Sequence, residues 1–83
     1  MKPYANESEV VQIEGLTIEN RADRISIYGE IDITRDKQGL KAAKELQAII
    51  DATIKTLESD DTKGKLPDAI TLEKNVTVDN PFA

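Results

Sequence analysis

Few residues in this chain have side chains suited to catalysis. The 83 residues include no cysteine and no histidine. The sequence therefore excludes thiol nucleophiles, imidazole bases and ordinary zinc sites. Carboxylates, lysines, tyrosines and hydroxyls are the chemical groups that remain. We accordingly expect a protein that is not an enzyme, with no catalytic residue, no bound metal and no organic cofactor.

The first candidate site is a pair of carboxylates, Glu30 and Asp32. If this segment is a strand, the two side chains lie on one face, about 7 Å apart. Two carboxylates at that distance can hold a hard cation or act as an acid–base pair. No third group supports either role, so the sequence favours an ordinary solvated face. An enzyme built on these carboxylates, or on Arg35 and Lys37, is the least favoured function.

The second candidate site is the strand-to-helix junction that contains Arg35 and Lys37. Free N–H groups at a helix start bind anions, and the two cations add positive charge. The single glycine, Gly39, does not match the spacing of a phosphate-binding loop. The sequence favours a simpler role, in which Thr34 or Asp36 caps the helix and Gly39 lets its first turn approach the sheet.

Tyr28 is the third candidate, because it lies on the polar face of the clearest predicted strand. Exposed tyrosines are enriched among residues that dominate interface energetics. The alternative is cross-strand packing over Thr17 or Glu19. The candidate interaction residues of the sequence are Tyr28, Glu30, Asp32, Arg35 and Lys37.

Period-two and helical patterns predict the elements that position these residues. Residues 24–34 alternate strictly, with Ile25, Ile27, Gly29, Ile31 and Ile33 on one face, which predicts one long strand. Before it, the apolar parity shifts at Gly15, so 11–19 is either one bulged strand or two strands joined by a turn. We expect a helix from Lys37 to about Ser59, whose apolar sector contains Leu40, Ala43, Leu46, Ile49, Ile50, Thr53, Ile54 and Leu57.

These elements predict an α+β fold with a small antiparallel sheet on one long amphipathic helix. The isoleucines of the long strand should face Ala43, Leu46, Ile50 and Leu57 of the helix. Residues 1–9 are expected to be a loose N-terminus, and residues 10–83 a single domain. A C-terminal β-element over 70–79 should complete the sheet, either as a hairpin around Glu73–Asn75 or as one edge strand.

Charge and hydropathy limit the partners. The net charge is −5 and no basic block is present, so we expect no nucleic-acid binding. Apolar runs are too short to cross a membrane, and we expect no membrane contact and a cytoplasmic location.

The function that the sequence favours is a small non-enzymatic binding or regulatory module that self-associates as a homodimer. It could also bind another protein. Leftover apolar positions near Ile49 and Thr53, or an edge strand from 70–79, would form the contact, unless the chain covers them itself. The alternative is an acidic inhibitor or decoy that occupies a basic surface of a larger macromolecule.

Overall fold

The computed structural model describes residues 1–71, which form a three-stranded antiparallel sheet and one long helix. Strands β1 (Val10–Ile13), β2 (Leu16–Asn20) and β3 (Ile25–Gly29) lie in the order β1-β2-β3, and helix α1 spans Lys37–Thr62. The expected α+β class is confirmed. The predicted C-terminal β-element, including its turn at Glu73–Asn75, lies outside the described residues beyond position 71.

The parity shift at Gly15 marks a hairpin turn. Glu14 and Gly15 connect β1 to β2, and the register pairs Ile13 with Leu16. Of the two alternatives for 11–19, the structure therefore has two separate strands. Glu14 has a φ of 55°, in the left-handed region that residues with a side chain seldom adopt.

The third strand is shorter than the alternating pattern predicts. The structure ends β3 at Gly29, whereas the pattern predicts a strand that continues to Thr34. Gly29 has a φ of 105°, which turns the backbone out of the sheet, and the next N–H, of Glu30, donates to the Gly15 carbonyl at 3.3 Å. The period-two pattern continues to Ile33, but Glu30–Thr34 is not part of the strand.

Helix α1 begins at a carboxylate cap and ends at a glycine. The Asp36 Oδ1 atom accepts a hydrogen bond from the Gly39 N–H at 2.8 Å. At the other end Gly64 has a φ of 72°, and the Lys65 N–H donates to the Asp60 carbonyl at 2.9 Å. The helix therefore ends three residues after the predicted end near Ser59, because its last turn continues to the first position where a left-handed residue can close it.

Gly39 permits a close approach that no other residue type would allow. A Cβ atom at this position would overlap the carbonyl oxygen of Thr34. The close approach at Gly39 is therefore to the segment before the helix, and the prediction that Gly39 brings the helix close to the sheet is wrong.

The core lies between α1 and the β1–β2 hairpin. Among the described residues, the buried hydrophobic side chains are Ile13, Leu16, Ile18 and Ala42. Of the three strands, β1 makes the helix contacts. Leu46 and Ile49 pack against this core from the helix.

The expected pairing between the strand isoleucines and the helix is therefore wrong in part. Ile25 and Ile31 are partly buried against the core, but Ile27 and Ile33 are exposed. On the helix, Ile50 is exposed as well. The physical reason is that α1 lies over the β1 side of the sheet, so the β3 side of the same face is left without a helix above it.

The N-terminal residues 1–9 contain no helix or strand, but they are attached to the sheet through Asn20. The fully buried Asn20 side chain accepts from the Tyr4 N–H at 2.7 Å and donates to the Lys2 carbonyl at 2.8 Å. Because a buried amide without partners would be costly, these bonds both satisfy Asn20 and position the segment. Met1 packs against the core beside it.

Two isoleucines that pair across β2 and β3 provide a direct test of where the core lies. Ile18 is fully buried, and its register partner Ile27 is 44% exposed. We expect Ile18→Ala to lower the free energy of unfolding by about 2–5 kcal/mol, and Ile27→Ala to lower it by less than about 1.5 kcal/mol. Urea denaturation followed by circular dichroism measures both. Equal losses at the two positions would contradict the placement of α1.

Candidate functional site

The structure places the acidic pair in a cleft between β3 and the start of α1. This cleft has a volume of about 350 Å³, and the carboxylates that line it are Glu14, Glu30 and Asp32. The sequence did not identify Glu14 as a residue of this site. The one feature of the sequence that could have indicated it is its position beside the turn glycine Gly15. Within residues 1–71, no group of three or more acidic side chains converges closely enough to hold a metal ion.

The two candidate cations at the junction do not line this cleft. Arg35 and Lys37 are both exposed at the start of α1. The Asp36 Oδ1 atom accepts from the Thr34 hydroxyl at 2.7 Å and from the Gly39 N–H. These hydrogen bonds, the one from Thr34 first, hold the pKa of Asp36 below its usual value. The helix start therefore has an anion already, its own carboxylate, and the predicted capping role is confirmed for Asp36.

Tyr28 lies on the outer face of the sheet, away from the cleft. Its hydroxyl donates to Glu19 Oε2 at 2.6 Å, and it pairs with Thr17 across β2 and β3. Glu19 Oε1 in turn forms an ion pair with Arg21 at 2.9 Å. The hydrogen bond to a carboxylate raises the pKa of Tyr28. The structure thus brings Tyr28 together with Glu19, as the cross-strand interpretation predicts, and not with the other four candidates.

Helix α1 exposes three large apolar side chains to solvent. Leu40 is 56% exposed, Ile54 47% and Ile50 38%. They belong to a row of positions with the alternating three- and four-residue spacing of a coiled-coil seam. We call this row the outer seam, and its members are Leu40, Ala43, Gln47, Ile50, Ile54 and Leu57.

A second row with the same spacing runs beside the outer seam and faces the sheet. Its members are Gly39, Ala42, Leu46, Ile49, Thr53 and Thr56, all of them buried or half-buried. The broad apolar sector expected from the sequence is therefore two adjacent rows, of which the fold covers one. Ile49 and Thr53, the expected leftover positions, lie in the covered row, and the Thr53 hydroxyl donates to the Ile49 carbonyl at 2.8 Å. The large apolar helix residues left exposed are Leu40, Ile50 and Ile54 of the outer seam, whereas Ala43 and Leu57 of the same seam are half-buried.

The outer seam is on the β3 side of the molecule. Leu57 lines a shallow depression together with Ala22 and Asp23, which lie in the turn between β2 and β3. Ile27 of β3 is on the same sheet face as its buried partner Ile18. The outer seam and the exposed Ile27 are thus on one side of the molecule, whereas the exposed Tyr28 is on the outer face of the sheet.

Comparison with known proteins finds no matching family model, no matching curated protein and no matching solved structure.

The Asp36 cap predicts a specific pH dependence of stability. Because folding lowers the pKa of Asp36, its contribution to stability is complete above the usual value of 3.8 and is lost as the pH falls through the lowered folded value. Asn also caps helices but does not titrate in this range. We expect the stability difference between the wild type and Asp36→Asn to shrink in acid, measured by urea denaturation between about pH 2 and pH 6.

Thr34→Ala is the second variant for this test, since it removes the hydrogen bond that lowers the pKa most. We expect it to move the acid-dependent loss of stability to higher pH. A wild type and an Asp36→Asn variant with the same pH dependence would show that the carboxylate does not cap the helix in solution.

Proposed function

We propose that this protein is a small non-enzymatic binding module that self-associates through the outer seam of α1. The observation that carries the proposal is the exposure of Leu40, Ile50 and Ile54 on one helix flank. Ile50 and Ile54 are neighbours one turn apart, and exposed apolar side chains that lie together are a mark of interaction surfaces. A helix face with seam spacing is suited to another helix, since its side chains can insert between those of a partner.

The balance between covered and uncovered apolar side chains supports self-association. Within the described part of the chain, four hydrophobic residues are buried, whereas nine large hydrophobic residues are exposed. A core of this size leaves little stability for a single chain, because ordering the backbone and side chains opposes folding throughout. An interface that covers the outer seam would bury the apolar side chains that the single chain leaves exposed.

The acidic-decoy function is the weaker candidate on the geometry. It requires a concentrated acidic surface that a basic partner can contact. The carboxylates of the cleft, Glu14, Glu30 and Asp32, are three side chains that line a recess beside the start of α1 and do not form such a surface. The exposed outer seam is apolar and would remain uncovered in such a complex. We also propose a cytoplasmic location, which rests on the amino-acid sequence. Within residues 1–71, no helix has the length and hydropathy needed to span a membrane.

Sedimentation equilibrium tests the proposed self-association directly. We expect a species of twice the 9.2 kDa chain mass at micromolar concentration, and a melting temperature that falls on dilution. Ile50→Gln/Ile54→Gln should be monomeric, because it removes the two central apolar side chains of the outer seam while glutamine keeps a high helix propensity. A monomeric wild type at the highest concentration would contradict the proposal.

The matched control is Ala48→Gln, which adds the same side chain at an exposed helix position outside the outer seam. It should associate as the wild type does. Equal weakening in Ala48→Gln and in the seam variant would show that glutamine acts through the helix and not through an interface.

A further inference from the structure

A column of charged residues borders the outer seam of α1. Its members recur at every seventh position, so they lie in a line along the helix, and they are Lys37, Lys44, Asp51 and Glu58. All four side chains are exposed. The first two are cations and the last two are anions, so the column changes sign midway along the helix.

Within α1 this order of charges opposes the helix dipole, although the cap residues Asp36 and Lys63 have the signs that the dipole favours. The positive end of a helix dipole prefers acidic side chains and the negative end prefers basic ones. In α1 the first turn has no acidic residue and the last turn has no basic residue. Lys37 lies at the positive end, and Glu58, Asp60 and Asp61 lie near the negative end. Pairing within the helix does not account for the column either. Among the described residues the one i,i+4 ion pair of α1 is Lys41–Glu45, at 3.5 Å, and no member of the column takes part in it.

We propose that the partner of the outer seam is a second copy of this chain, with the two α1 helices packed antiparallel about a twofold axis. The inference rests on the proposed self-association and specifies its geometry. Antiparallel packing places the basic half of each charged column beside the acidic half of the other. The charge order that opposes the dipole of one helix is thereby complementary between two copies.

The charged column selects one register. Residues at this border position contact their equivalents across an antiparallel coiled-coil pair. In the proposed register Lys44 faces the partner's Asp51, and Lys37 faces the partner's Glu58. The twofold axis repeats both contacts, so the dimer has four ion pairs. A shift by one heptad in one direction places Lys44 opposite the partner's Lys44. A shift by one heptad in the other direction places Asp51 opposite the partner's Asp51. Both alternatives create like-charge contacts.

The same register matches the sizes of the apolar side chains. It places Leu40 beside the partner's Leu57, and the small Ala43 beside the partner's large Ile54. The polar Gln47 then lies near the twofold axis, next to the partner's Ile50. A single polar residue in a seam commonly specifies register at some cost in stability. The apolar row and the charged column therefore point to one arrangement.

A parallel pair is disfavoured by the same residues. In a parallel pair each lysine of the column would lie beside the same lysine of the partner, and each acidic residue beside the same acidic residue. Like charges would therefore face each other. A helix from an unrelated protein would need the reverse charge order on a seam of equal length, whereas a second copy supplies both. The exposed Ile27 of β3 lies on the same side of the molecule as the seam, where a second copy would approach it.

Charge reversal tests the contact between Lys44 and the partner's Asp51. Lys44→Glu places two acidic residues together, and Asp51→Lys places two basic residues together, each twice per dimer. We expect each single variant to raise the dimer Kd about tenfold at low salt, and the double variant to restore it. An equimolar mixture of the two single variants should form a heterodimer with an affinity near that of the wild type, since every contact is then between opposite charges. Sedimentation equilibrium with one fluorescently labelled variant measures these affinities.

Cysteine cross-linking tests the orientation, because the chain contains no native cysteine. Under mild oxidation, a mixture of Ala43→Cys and Ile54→Cys chains should yield the mixed disulfide in excess over either homodisulfide. Ala43 homodisulfides in excess would indicate parallel packing and overturn the inference. Circular dichroism of each variant verifies that it is folded.

The outcomes separate this inference from the proposed function. A wild type that is monomeric overturns both. A wild-type dimer that Ile50→Gln/Ile54→Gln disrupts, but whose Kd neither charge reversal changes, leaves the proposed function intact and overturns the antiparallel register. Heterodimer formation by the two charge-reversal variants, together with the mixed disulfide, supports both.

Discussion

The contact of Ala42 with Ile13 and Ile18 decides which side of the helix the sheet covers. Ala42 has the smallest side chain in its row apart from Gly39, so α1 can approach the β1–β2 hairpin closely there. Gly39 permits an equally close approach one turn earlier, where the Thr34 carbonyl lies in the space that a Cβ atom would need. Ala42 therefore holds the start of the helix over the hairpin, while Gly39 lets the segment before the helix pack against its first turn.

The position of the helix start determines the rest of the surface. A helix held over β1 covers the row that contains Leu46 and Ile49, and leaves the outer seam uncovered about one quarter-turn away. It also leaves Ile27 of β3 exposed. The exposed apolar side chains are thus not scattered at random. They result from a helix that is amphipathic over a wider sector than this small sheet can cover.

The charges on α1 illustrate a conflict between local and intermolecular preferences. A sequence optimised for the stability of a single helix would place acidic residues first and basic residues last. In α1 the order inside the helix is reversed, with Lys37 in the first turn and acidic residues near the end, and the favourable signs are found only at the caps Asp36 and Lys63. Natural proteins commonly give up some stability in this way where charges specify a partner or a register. We interpret the charged column of α1 in these terms, as a feature that favours one arrangement of two copies over its neighbours.

The sequence by itself determined the element types and limited the helix cap to Thr34 or Asp36. Alternation and helical spacing are local properties, so the strands, the helix start at Lys37 and the turn at Gly15 could be located from them. The end of β3 could not, because the alternation continues through Gly29 while its φ of 105° turns the chain away. The placement of candidate residues also depended on tertiary structure, since Glu14 joins Glu30 and Asp32 only through the hairpin.

Above all, tertiary structure decided which half of the helical sector was covered. Both rows of α1 have seam spacing and apolar side chains, so their hydropathy alone does not rank them. The contact of Ala42 with Ile13 and Ile18 chooses between them, and that contact joins residues far apart in the chain.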